Sequence, residues 1–155
     1  MSEVKPVLSS LHMSAPSDIP MLLKMIQEYH EYDHLEFDEA LTRTLLDQVI
    51  SNPGIGRIWM VKVNKEVAGY MLLTFGFSLE FKGRNGLLDE FFLHEKWRGQ
   101  GLGKQTLRLM QKEAKAMGMK AVHLEVTRDN EKALKLYEKV DFKDNERFLM
   151  TCWLP

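Results

Sequence analysis

Two stretches of the chain carry residue types whose spacing could do chemistry. Arg98-Gly99-Gln100-Gly101-Leu102-Gly103 stands at the head of an amphipathic helical pattern whose apolar face holds Gly103, Leu107, Met110, Ala114 and Met117. Glycines let backbone N–H groups approach a ligand closely, and a helix N-terminus adds partial positive charge. The combination suits a phosphate or pyrophosphate, and Arg98 and Lys104 add full charges at its two ends. Spacing rejects two phosphate folds. Reading Gly103-Lys104 as the end of a nucleotide P-loop puts Arg98 at the first Gly and Gln105 where the hydroxyl belongs. A dinucleotide fingerprint started at Gly99 and Gly101 puts Lys104 in the third glycine slot, and the loop comes late in the chain.

The second stretch lies just before the loop. Leu88-Asp89-Glu90-Phe91-Phe92-Leu93 sets two adjacent acids among apolar residues, and a carboxylate is a ready proton acceptor. In a regular strand neighbours point to opposite faces, so only one of the two acids enters a given site. A third pattern, His30-Glu31-Tyr32-Asp33-His34, spells the His-Glu-x-x-His of zinc proteases. Asp33 inside it, the acids that follow and the lack of an obvious third ligand read instead as a water-exposed helix end, so no metal is expected. The acids Glu28, Glu31, Asp33, Glu36, Asp38 and Glu39 fit two readings, a solvated face or a field that attracts a cationic ligand.

These groups need elements to hold them. A strand is expected over residues 7–13, then a turn at Pro16-Ser17-Asp18 and a helix with Leu22, Met25, Ile26 and Tyr29 on one face. Leu41, Leu45 and Val49 mark a second helix, ended by Ser51-Asn52-Pro53-Gly54. Strands follow at 57–63 and 67–77, the latter nearly all apolar, as when both faces are covered. Residues 81–86 read as a loop and 87–94 as a strand. The glycine loop and its helix come next, stopped by Gly118; then a strand at 121–126, a helix at 130–139 and a last strand at 147–153. The order β-αα-βββ-α-β-α-β is that of an α/β or α+β domain with a mixed sheet.

Composition agrees. The chain has 155 residues, 45% hydrophobic and 28% charged, with 21 Lys+Arg against 22 Asp+Glu. That is one domain, 1–155, large enough to fold without disulfides, and its single cysteine, Cys152, excludes a disulfide framework or a multi-cysteine zinc site. Balanced charge argues against a nucleic-acid binder. The longest uncharged stretch, 13 residues from Val67 to Leu79, is too short to span a membrane, and no signal peptide is evident, so a cytoplasmic location is expected.

The acid strand followed by Arg98-Gly99-Gln100-Gly101-Leu102-Gly103 resembles motif A of the GNAT superfamily of N-acetyltransferases. Asn130, Ala133, Leu136, Tyr137 and Phe142 resemble its motif B, with Asp141 in place of the usual glycine before Phe142. Within the superfamily the Asp-Glu-Phe-Phe stretch is most similar to polyamine and diamine acetyltransferases. The resemblance implies a mostly antiparallel sheet of about six or seven strands with about four helices, splayed at the strand before the glycine loop. It implies acetyl-CoA as cosubstrate, with its pantetheine arm on the backbone of Phe92 and Leu93, its pyrophosphate on the loop from Arg98 and Gly99 through Gln100, Gly101, Leu102 and Gly103 to Lys104, and a further contact from Asn130. Asp89 would be the base, acting through water, with Glu90 structural; Tyr137 would be the general acid, and Glu125 is a weaker alternative acid. The acceptor would be a small cationic amine, walled in part by the acidic segment. Relatives are often dimers built across the late strands.

Overall fold

The computed structural model describes residues 10–155. Its strands are β1 (Ser10–Met13), β2 (Gly56–Val63), β3 (Glu66–Ser78), β4 (Gly83–Leu93) and β5 (Ala121–Leu124). Its helices are α1 (Ile19–Tyr32), α2 (Glu39–Ser51), α3 (Leu102–Ala116) and α4 (Glu131–Glu138). The sheet runs β1-β2-β3-β4-β5, antiparallel throughout except for the parallel β4–β5 pair that α3 connects. Residues 7–9 of the expected first strand lie outside the described residues.

Alternation along β3 explains the three layers. Tyr70 and Leu72 pack with Leu22, Met25 and Ile26 of α1 on one face; Met71 and Leu73 pack with Leu107 and Met110 of α3 and Val140 beyond α4 on the other. A strand covered on both faces has no room for polar residues, hence its apolar run. The stripe on α2 is shifted from the expected one: Leu41 and Leu45 are exposed, and Leu46, Val49 and Ile50 face the core.

Two expectations about the sheet are overturned. Residues 83–86 are not loop but the start of β4, paired with Phe77, Gly76 and their neighbours on β3 and, from Asn85, with β5. Gly86 is there because of space: a Cβ would stand 2.8 Å from Leu73 Cδ1 and 3.0 Å from Met119 Sδ. The final strand does not form either. Residues 143–155 enter no ladder, so the described sheet has five strands and not six or seven. The tail is anchored by Phe142 against Tyr137 and by Arg147, which donates to both Glu80 oxygens, and it leaves Phe148, Met150 and Trp153 at 82, 89 and 90% exposure.

At the motif B departure, Asp141 has φ 70°, a left-handed conformation that suits glycine and that Asp tolerates better than most residues. Arg108 bonds its carboxylate at 2.6 Å and, with the ion pair, holds it below the usual carboxylate range. No helix among the described residues is long and apolar enough to cross a membrane.

Candidate active site

A one-residue irregularity in β4 organises the site. Leu72 of β3 stands opposite Glu90 and Leu73 opposite Leu88, so Asp89 has no partner: it is the extra residue of a β-bulge. The bulge reverses the alternation. Leu88 packs in the α3 cluster with Leu107 and Met110, while Phe92, four residues on, packs with α1. It also lies where β4 leaves β5. Their pairing ends at Leu88–Leu124, and β4 continues to Leu93, so residues 89–93 turn one backbone edge to a gap that β5 does not fill.

The adjacent acids have different surroundings. Glu90 is held at both oxygens, by His30 Nε2 at 2.7 Å and by the Tyr70 hydroxyl, which donates at 2.8 Å. Burial, with Glu90 beside it, pushes the Tyr70 phenol far above its ordinary value. Asp89 is open on its outer side, yet loss of water on its inner side pushes its carboxyl up. The charges of Glu90 and Glu125 add to that shift and His30 opposes it. Glu90 hydrogen-bonds Tyr70, and the charge of Asp89 reaches the same phenol.

The glycine loop lies at the far end of the same gap. Gly99 and Gly101 adopt φ 72° and 84°, and a Cβ at either would meet nothing within 4 Å, so the loop presents bare backbone to open space. Gly101 is the N-cap of α3 and supplies no side-chain acceptor. The first-turn N–H groups of Leu102, Gly103 and Lys104 therefore lack an intrahelical partner, as in an anion cradle. Gly103 packs against Leu136 of α4. Arg98 turns back from the loop: its Nε donates to the Leu93 carbonyl at 2.8 Å, and its guanidinium lies over the rings of Tyr32 and Phe92. Gln100 donates to the Lys96 carbonyl, and the charge of Lys104 reaches Asp141.

Across the gap, Tyr137 stands on α4 with its ring edge-on to Phe142. Burial, and then the charge of Asp33, raise its phenol above the ordinary value. The charge of Tyr137 in turn contributes to the raised phenol of Tyr29 on α1, after burial and Asp33. Asn130 caps α4 by accepting from the Ala133 N–H.

The structure divides the acidic segment. Asp38 accepts from Leu41 N–H as the N-cap of α2, Glu39 pairs with Arg43, and Glu31 accepts from Gln27. Glu28 pairs with His94, and the Asp33 N–H donates to the Tyr29 carbonyl. The zinc pattern is also taken apart. α1 ends at Tyr32 and His34 lies beyond it at φ 56°, so the two histidines do not share a helical face. Among the described residues no group of three or more His, Cys, Asp or Glu could hold a metal. Sequence reasoning missed Tyr70 and the contact of His30 with Glu90. Tyr70 was visible only as the one phenol in an apolar strand, and His30 only as half of a misleading motif.

Comparisons with known proteins agree with this geometry. The family described as "Acetyltransferase (GNAT) family" matches residues 19–142. The chain is 30% identical over 90 residues to the uncharacterized N-acetyltransferase YycN of Bacillus subtilis, a match spanning 57% of this chain and 56% of that protein. It is 28% identical to the thialysine N-epsilon-acetyltransferase of Bos taurus over 82% of this chain and 79% of that one. A shorter stretch, 37% of this chain and 39% of the other, is 37% identical to the spermine/spermidine N(1)-acetyltransferase of Bacillus subtilis. Among solved structures, the integron cassette protein HFX_CASS3 from the Cole Harbour salt marsh metagenome superposes with a TM-score of 0.83 at 26% identity, over 94% of this chain and 90% of that one. The chain belongs to the GNAT family of acetyltransferases, whose members are acyl-CoA-dependent N-acetyltransferases.

Proposed function

We propose that the protein moves an acetyl group from acetyl-CoA to a primary amine on a small cationic acceptor, by direct attack within a ternary complex. The observation that carries this reading is the bulge at Asp89, which opens an unpaired backbone edge leading straight to the glycine loop. The loop N–H groups from Gly99 to Lys104 take the pyrophosphate, and the backbone at Phe92 and Leu93 takes the pantetheine arm. Asn130 contributes where α4 begins. Arg98 acts by bracing the loop against β4 and Lys104 by its charge.

The amine arrives mostly protonated, since alkylamines have pKa values of about 10. Asp89, through water, removes one proton; the neutral nitrogen attacks the thioester carbonyl carbon, a C–N bond forms, and the nitrogen sheds its second proton to water as the C–S bond breaks. Tyr137 gives its proton to the departing thiolate sulfur and regains one from solvent. The raised phenol stays protonated until it is needed. Asp89, Glu125, Asp33 and Glu28 supply the negative field that favours a cationic acceptor, the class named in the thialysine and spermine/spermidine relatives.

Thiol release from acetyl-CoA over a panel of polyamines, amino sugars, lysine analogues, neutral amines and a peptide α-amine tests this. Release with the small cations supports it. Release only with the peptide would assign a protein acetyltransferase, and binding of acetyl-CoA without any amine-dependent release would assign a non-catalytic acyl-CoA-binding module.

We also infer that two copies associate through the late strands. Phe148, Met150 and Trp153 of the C-terminal tail are exposed, and the outer edge of β5 pairs with no strand among the described residues. Such an edge is a template for another chain. Sedimentation should give twice the 18.1 kDa mass, and joint Phe148→Asp and Met150→Asp replacement should return the monomer; a monomeric wild type rejects the inference.

A further inference from the structure

On the face of the sheet away from α3, β3 packs against α1 as far as Leu72. The next row on that face is Thr74, Leu87 and His123, one residue from each of β3, β4 and β5, set side by side by the register. Their neighbours Leu73, Leu88 and Leu124 pack toward α3, so alternation turns this row the other way. The three are half-buried, yet among the described residues none of them joins a buried cluster. The row stands where β4 and β5 part, since Leu88–Leu124 is their last pair. Asp89 follows Leu87 by two residues, about 7 Å along the strand. Two contacts mark the row as a place for a ligand. The ring of Phe81, from the turn between β3 and β4, is centred 4.2 Å from the His123 imidazole and tilted 58° to it. His123 Nε2 is shut off from solvent and has no hydrogen-bond partner among the described residues. A buried polar atom in that state is destabilising, and a ligand that reaches it supplies the missing bond.

We propose that Thr74, Leu87, His123 and Phe81 seat the body of the acceptor beyond its reacting amine, and that this body is hydroxylated and uncharged, as in an amino sugar. This rests on the acetyl-transfer reading. A hydroxyl both donates and accepts, so it pairs with Nε2 in either tautomer, while an ammonium only donates and a carboxylate only accepts. The four side chains include no carboxylate to hold a second ammonium and no Lys or Arg to hold a carboxylate. Glu80, in the turn beside Phe81, is bonded at both oxygens by Arg147. Leu87 and the Phe81 ring suit the apolar C–H face of a sugar ring. Reaching Nε2 takes a shift of the Phe81 ring, and Phe81 belongs to a turn and not to a strand. The distance of about 7 Å from Leu87 to Asp89 is that of one hexose between its amine and a far hydroxyl.

Thiol-release kinetics with glucosamine, spermidine and propylamine test the proposal, propylamine being too short to reach the seat. The wild-type protein should favour glucosamine in kcat/KM. His123→Leu and Phe81→Ala should each raise the glucosamine KM by about tenfold, the scale of one lost hydrogen bond or ring contact. The KM values for propylamine and acetyl-CoA should stay the same. Phe81→Ala, at a turn, keeps the test open if His123→Leu folds poorly. A preference for spermidine over glucosamine, or an equal rise in KM for all three amines, overturns the proposal. Binding is also read without turnover, from the His123 ring signals in NMR of the wild-type protein, which glucosamine should move and propylamine should not. Signals that move while no amine is acetylated defeat the acetyl-transfer reading and the acceptor seat with it. Acetylation of amines with His123 signals that glucosamine leaves in place defeats this proposal alone.

Discussion

The two ends of the gap beside β4 are built by different means. At the glycine end the backbone does the work: positive φ at Gly99 and Gly101 and the unpaired first turn of α3 make an anion cradle with no side chain aimed into it. Arg98, the obvious cation there, is turned back onto Leu93, Tyr32 and Phe92. At the bulge end the side chains do the work, with Asp89, Glu90, His30 and Tyr70 converging from β4, α1 and β3. Backbone donors suit a ligand part that does not change charge during the reaction. Side chains that exchange protons suit the part that does.

The sharpest way to break this contrast is Asp89→Asn. Turnover should fall by about 10²–10⁴-fold, the usual scale for losing a general base, while acetyl-CoA affinity measured by titration stays the same. The same variant should be more heat-stable near neutral pH. The Asp89 carboxyl is raised in the folded state, so the folded protein binds its proton more tightly than the unfolded chain does. Stability is therefore lost as pH rises from the ordinary carboxylate range through the raised folded value, and the amide removes that loss. An Asp89→Asn protein with full turnover would remove the side-chain half of the comparison.

Gly101→Val probes the other end and should give the opposite pattern. The left-handed φ of 84° costs a β-branched residue on the order of 1–2 kcal/mol, and the new side chain projects into the cradle. The KM for acetyl-CoA should rise by roughly tenfold, about the factor that 1.4 kcal/mol represents, with the amine's KM little changed. Equal losses for both substrates would mean that the two ends are not separable. Tyr137→Phe should have the smallest effect, slowing thiol release by about tenfold, at or below the low end for a general acid, without weakening acetyl-CoA binding. Unchanged turnover would reduce Tyr137 to the packing role that its contact with Phe142 already shows.

Much of this site was legible before folding, but unevenly. The glycine loop was readable because its function is local: three glycines at fixed spacing before an amphipathic helix specify both backbone conformation and anion preference. α1, α3 and β3 were readable for the same reason, since apolar periodicity reports which face is covered. The start of β4 was not, because Gly83 to Gly86 have loop composition and are drawn into the sheet by the length of β3 and the room beside Leu73 and Met119. The tail at 147–153 has strand composition but no ladder in the described chain.

The sequence by itself determined the order of elements as far as α4, the glycine loop and the presence of two adjacent acids near it. Only the tertiary structure decided how the two acids are placed. One extra residue opposite Leu72 and Leu73 reverses the side-chain alternation, leaves Asp89 at the mouth of the gap and presents Glu90 to His30, sixty residues earlier in the chain. Periodicity cannot report a bulge, because a bulge is a break in period set by the partner strand.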